Sequence, residues 1–171
     1  MAEDKKLHEK NRGSGVEELI EVVEFNLGGK RYALNIHLVR EIVVMMPITP
    51  IPRAPEFITG VLNLRGEITN IINLNKLLEV TDTAIRKDQK IIVLVPQAAG
   101  GNNVGFIVDD VKSVIQVAEK DIEKMHDNAS LKLTTIVKGI IKLKSEDNDK
   151  KSKGLLIWID LEKVLKDMVG A

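Results

Sequence analysis

Apolar residues along the chain fall in short runs rich in Val and Ile, separated by turn residues, and this pattern predicts many strands of about five or six residues. The runs place strands over Leu19–Asn26, Lys30–Asn35, Glu41–Met46, Gly60–Arg65, Glu67–Ile72, Ile91–Val95, Val104–Val108, Val111–Val117, Ile136–Leu143 and Leu155–Ile159. Gly28-Gly29 reads as a hairpin turn, and Ile36–Arg40 as one helical turn with Ile36, Val39 and Arg40 on one face. Pro50, Pro52 and Pro55 fix φ and remove backbone donors, so the chain around them runs as an extended connection into the strand opened by Gly60. Arg65-Gly66 turns that strand back. Asn73 has the chemistry of an N-cap for a short helix over Leu74–Leu78, and Asp160 the same for a helix over Leu161–Val169.

The two halves resemble each other. At an offset of 72 residues, Tyr32–Ile36 matches Val104–Val108 and Val39–Val43 matches Val111–Ile115. With a changed offset, Gly60–Arg65 resembles Gly139–Lys144, and Ile72–Leu78 resembles Ile159–Leu165. The polar run Ser145–Lys153 lengthens the turn that Gly66 makes tightly in the first half. The expected organisation is a tail over residues 1–17 and a folded region over 18–169, built of halves at 18–85 and 88–169 whose strands can be exchanged. Halves of about 70–80 residues are marginal alone and should pack together, and small closed barrels remove their exposed strand edges.

Composition narrows the function. Lys+Arg and Asp+Glu both total 25, so no global field draws the chain to nucleic acid or anionic membrane. There is no cysteine, which removes disulfides and thiolate metal sites. Ile91–Val108 carries no charge, but Pro96 and Gly100–Asn103 break it into two strands rather than a spanning helix. The charged N-terminal residues contain no apolar run, so the chain reads as cytoplasmic.

Catalytic chemistry finds no support. His8, His37 and His126 lie far apart without metal-ligand spacing, none of the five serines lies in a GxSxG motif, and the glycine doublets lack a phosphate-binding pattern. Asp109-Asp110 reads as one outward residue and one at a strand end. With Phe25, Tyr32, Phe57, Phe106 and Trp158 as its aromatics, mostly alternating with apolar neighbours, the chain also makes a poor nucleic-acid-binding barrel, although that alternative stays open. What remains is recognition of proteins. Ile36, Val39 and Ile42, interleaved with Arg40 and Glu41, suit either an interface or a core. Arg65 at its hairpin tip needs a partner if buried, and Glu41 is the candidate.

NLRG at Asn63–Gly66, preceded by ITPIP and Gly60 and followed by the Asn73 helix start, resembles the CheW-type chemotaxis coupling proteins. The likeness continues through VGFIVDDVKSVI at Val104–Ile115 and KGLLIWIDLEKVL at Lys153–Leu165. Asn70 and Asn73 depart from the family, which commonly has proline and aspartate there. The resemblance implies a mainly β fold of two packed five-stranded SH3-like barrels, with short connecting helices and a C-terminal helix. It implies a non-catalytic adaptor, without cofactor or metal, that couples a CheA-type histidine kinase to methyl-accepting chemotaxis receptors in cytoplasmic, membrane-associated arrays. The expected partners are the kinase regulatory domain, the receptor cytoplasmic tip and other CheW-like domains, and not nucleic acid; the alternative is a scaffold for another receptor–kinase pathway. The resemblance places Glu41 and Arg65 at the family's contact region, where they are expected to form an ion pair; partner contact is further expected at Ile36, Val39 and Ile42, and turn or packing roles at Gly60, Gly66, Gly105 and Asn73.

Overall fold

A computed structural model describes residues 18–81, 85–124, 136–143, 154–163 and 165. Among these residues eleven strands run in chain order: β1 (Leu19–Leu27), β2 (Lys30–Asn35), β3 (Val39–Val44), β4 (Ile58–Leu64), β5 (Glu67–Ile72), β6 (Lys90–Leu94), β7 (Val104–Val108), β8 (Asp110–Ala118), β9 (Ile122–Lys124), β10 (Val137–Lys142) and β11 (Leu155–Ile159). One short helix, α1 (Leu74–Leu78), follows β5. Its N-cap is Asn73, whose Oδ1 accepts from Lys76 N at 3.3 Å, and Asp160 Oδ1 accepts from Lys163 N in the same way. The residues after Asp160 begin a helix, but most of the helix expected to reach Val169 lies outside the described residues.

The strands form two sheets, ordered β8-β1-β2-β11-β10-β9 and β3-β6-β7-β5-β4. The orders correspond strand for strand, with β8 matching β3, β1 matching β6, β2 matching β7, β11 matching β5 and β10 matching β4. In each sheet a single parallel pair joins antiparallel ladders: β11 with β2, and β5 with β7. The sheets do not follow the division at residues 85–88. Each takes its first two strands from one half of the repeat and the rest from the other, so that β1 and β2 join β8–β11, while β6 and β7 join β3–β5. The chain crosses between sheets twice, through a single 3₁₀ turn at Ile36–Leu38 and again at Asp109. Helical geometry ends at Leu38, so Val39 and Arg40 belong to β3 and not to a helical face shared with Ile36.

This exchange explains the near-continuous apolar runs. In β6, Ile91 and Val93 point into the barrel of the second sheet, whereas Ile92 and Leu94 point to a layer between the sheets. In β11, Leu156 and Trp158 fill the first barrel, while Ile159 joins the shared layer. That layer also holds Phe25, Tyr32 and Phe106. Burying a large apolar side chain such as Ile92 stabilises the fold by about 1.5–3 kcal/mol, and here most central strands do so on both faces.

The repeat is visible in its glycines. A Cβ on Gly60 would press into the Thr49 carbonyl, and one on Gly139 would lie 2.9 Å from the Glu123 carbonyl oxygen. Both sit at a register shift, in β4 opposite β5 and in β10 opposite β11. Gly105 is packed between the ladders, its Cβ position 3.1 Å from Ile92 O.

Tyr32 is the chain's single tyrosine; it is buried and stacked on Phe25 at 5.7 Å. Burial raises its phenol above the ordinary value of 10. The unfolded chain titrates first, so this contribution to stability is complete below pH 10 and is lost as pH rises through the folded value. Ultraviolet titration should show less than half of the tyrosine ionised at pH 10 in folded protein; a half-ionised tyrosine in folded protein at that pH would contradict the packing.

Candidate functional site

The β4–β5 hairpin turns in two residues, with Leu64 opposite Glu67. Arg65 (φ +51°) and Gly66 (φ +84°) both take positive φ, the requirement of a type I′ turn. Asn63 Oδ1 accepts from Gly66 N at 2.8 Å, and Leu64 points into the barrel. Each residue of NLRG thus has a separate task, and Arg65 is left projecting with a side chain 68% exposed.

That projection reaches β3. Arg65 Nη2 is paired with Glu41 Oε2, and Arg40 Nη1 lies 3.4 Å from Glu67 Oε2. A β-bulge makes both contacts possible, because β3 spends two residues, Val39 to Glu41, against one step of β6, Leu94 to Val93. The extra residue lets Arg40 and Glu41, neighbours in sequence, both turn to the hairpin. Because β3 and the β4–β5 hairpin lie at opposite ends of the sheet order, these contacts bridge the gap left by the hydrogen-bond ladder. The Thr49–Val61 bridge closes it further along.

The expected site residues are distributed along this seam. Glu41 and Arg65 meet directly. Ile42 (41% exposed) lies on β3 opposite Ile92, and Val39 packs on the shared layer opposite Leu94. Ile36 lies in the 3₁₀ turn before β3, half-buried, and is not brought into the ion-paired cluster. Two further contributors were missed by sequence reasoning: Glu67, through Arg40, and Val44, which is 65% exposed on the same side as Ile42. The alternation Arg40, Ile42, Val44 would have revealed the outward row, had the strand been started at Val39.

Glu41 is 17% exposed, and its Oε1 is buried without a hydrogen-bond donor, 3.9 Å from Arg40 Nε. Around this buried carboxylate oxygen the seam exposes the Arg65 side chain together with Ile42 and Val44, a mixture of polar and apolar groups. Among the described residues, no group of three or more His, Asp or Glu side chains is placed to hold a metal, and no helix is long and apolar enough to cross a membrane.

A family model described as a CheW-like domain matches residues 21–169. The chain is similar to the chemotaxis protein CheW of Thermotoga maritima, 27% identical over 148 residues that cover 86% of this chain and 89% of that protein. It is 31% identical to the chemotaxis protein CheW of Bacillus subtilis over 121 residues, 71% of this chain and 76% of the relative. The crystal structure of the scaffolding protein TtCheW from Thermoanaerobacter tengcongensis superposes with a TM-score of 0.68 at 35% identity, covering 84% of this chain and 90% of the other.

The exposed pair should matter little to stability. Arg65→Ala is expected to lower it by no more than about 1 kcal/mol, while Asn63→Ala, which removes the turn's acceptor, costs about 1 kcal/mol. Urea unfolding measures both, and a loss of several kcal/mol for Arg65→Ala would make the pair structural.

Proposed function

The chain belongs to the CheW family, and we propose that it acts as a chemotaxis adaptor joining the regulatory domain of a CheA-type histidine kinase to the cytoplasmic tips of methyl-accepting receptors. The observation that carries this reading is the single CheW-like match running through both barrels, from residue 21 to 169. The adaptor is non-catalytic and works by presenting surfaces. It is cytoplasmic and is recruited to receptor arrays, where other CheW-like domains are further neighbours.

Partner contact is assigned to the β3 seam. Ile36, Val39 and Ile42 supply apolar contact, and the Glu41–Arg65 pair shapes the surface beside them. The exposed Arg65 guanidinium favours a partner that brings an acceptor, and the exposed Ile42 and Val44 favour one that brings an apolar ridge. Gly60, Gly66, Gly105 and Asn73 hold the turns and packing on which this face rests.

Two measurements test the assignment. Val39→Asp should cost more than about 2 kcal/mol of partner binding, read by titration with the kinase regulatory domain and with a receptor cytoplasmic fragment separately; unchanged affinity for both, in folded protein, removes Val39 from the interface. Glu41→Arg and Arg65→Glu should each impair coupling, and the double variant should partly restore it, whereas additive defects would exclude a direct functional pairing.

A further inference from the structure

The second passage between the sheets consists of one residue, Asp109, with β7 of one sheet ending at Val108 and β8 of the other starting at Asp110. Its side chain is 17% exposed and gathers donors from both sheets. Oδ2 accepts from Gly28 N at 2.8 Å, at the tip of the β1–β2 hairpin. Oδ1 accepts from Gln89 Nε2 at 3.0 Å, immediately before β6, and lies 3.6 Å from Arg86 Nη2. Its own N–H donates to Asn26 O at 2.9 Å. Gln89 is itself 3% exposed, and its Oε1 accepts from Arg86 N at 2.7 Å, so the amide is used at both ends. Gly28, at φ +59°, leaves no room for a side chain, because a Cβ there would enter Val80.

We propose that Asp109 and Gln89 form a clasp that fixes the angle between the two barrels and thereby the relative placement of the adaptor's partner surfaces. The apolar layer between the sheets resists their separation, but apolar contact is non-directional and sets orientation weakly. Directional contacts from a buried carboxylate to the hairpin tip of one sheet and the entry to β6 of the other supply that orientation. At the other crossover, Asn35 Oδ1 accepts locally from His37 N, and among the described residues the hydrogen bond from this turn to the second sheet runs between backbone groups, from Val95 N to Leu38 O. The clasp therefore concentrates side-chain control of the angle at one point. Its consequence for coupling rests on the adaptor reading above; the clasp itself rests on geometry alone.

The chain has no cysteine, so spin labels can be placed through Lys142→Cys on the first sheet and Glu56→Cys beside the second. Pulsed dipolar spectroscopy on the free protein should give a broader inter-label distance distribution in Asp109→Ala and Gln89→Leu than in the parent, and a smaller broadening in Asp109→Asn, which keeps an acceptor. Circular dichroism identifies the variants that fold. Distributions superimposable on the parent's overturn the clasp whatever the partners do. In parallel, capture of the kinase regulatory domain by an immobilised receptor fragment through the adaptor should fall at least about tenfold in Asp109→Ala, with affinity for each partner alone within about twofold. Broadened distances with unchanged capture overturn its role in coupling. Failure of the parent to bridge the two partners contradicts the adaptor reading and leaves the distance test standing.

Discussion

The shared apolar layer between the sheets is the constraint from which the rest of the structure follows. A sheet of five or six short strands has a small interior and is marginal by itself, and here most central strands bury a second face against the other sheet. Phe25, Tyr32, Ile92 and Phe106 lie in that layer, so the barrels are parts of one hydrophobic unit. Strands that are covered on both sides cannot present a binding surface. The proposed contacts with other proteins lie instead on an edge strand, β3, and on the hairpin tip that carries Arg65.

Strand exchange reinforces this arrangement. Because the first two strands of each half join the other half's sheet, the chain passes twice through the junction, and both sheets contain segments distant in sequence. Closure of the second barrel then depends on side chains as well as backbone. Arg40, Glu41, Arg65 and Glu67 span the gap between its end strands, and the exposed Ile42 and Val44 lie on β3 beside them. A seam held by partly exposed ion pairs contributes little to stability, which leaves its residues free to be selected for recognition.

Much of this was legible in the chain. Strand positions followed from apolar runs and turn residues, the hairpin tip from Arg65-Gly66, and the helix start from Asn73. Equivalence of the halves was also legible, since Gly60 matches Gly139 and Asn73 matches Asp160. Which copy's strands pair was not, because an exchanged and an unexchanged duplication have the same internal repeat and differ only in non-local pairing. The β3 bulge was hidden for a related reason: it lies in the pairing of β3 with β6, while β3 itself keeps an unbroken alternation of half-buried and exposed positions. The short strand β9 carries too few residues to show a period. Asp109 and Asp110 looked like an unremarkable carboxylate pair, and only the folded chain brings Gly28, Gln89 and Arg86 around the first of them.

The central claim is that at least one partner is recognised at the seam between β3 and the β4–β5 tip while the doubly covered strands serve as scaffold. Backbone amide shifts of isotopically labelled protein, followed during titration with the receptor fragment and then the kinase regulatory domain, test it most directly. For at least one partner, the largest changes should fall on residues 36–44 and 63–67, with β6 and β11 little affected. Saturable binding of both partners, with changes confined elsewhere, would contradict the account.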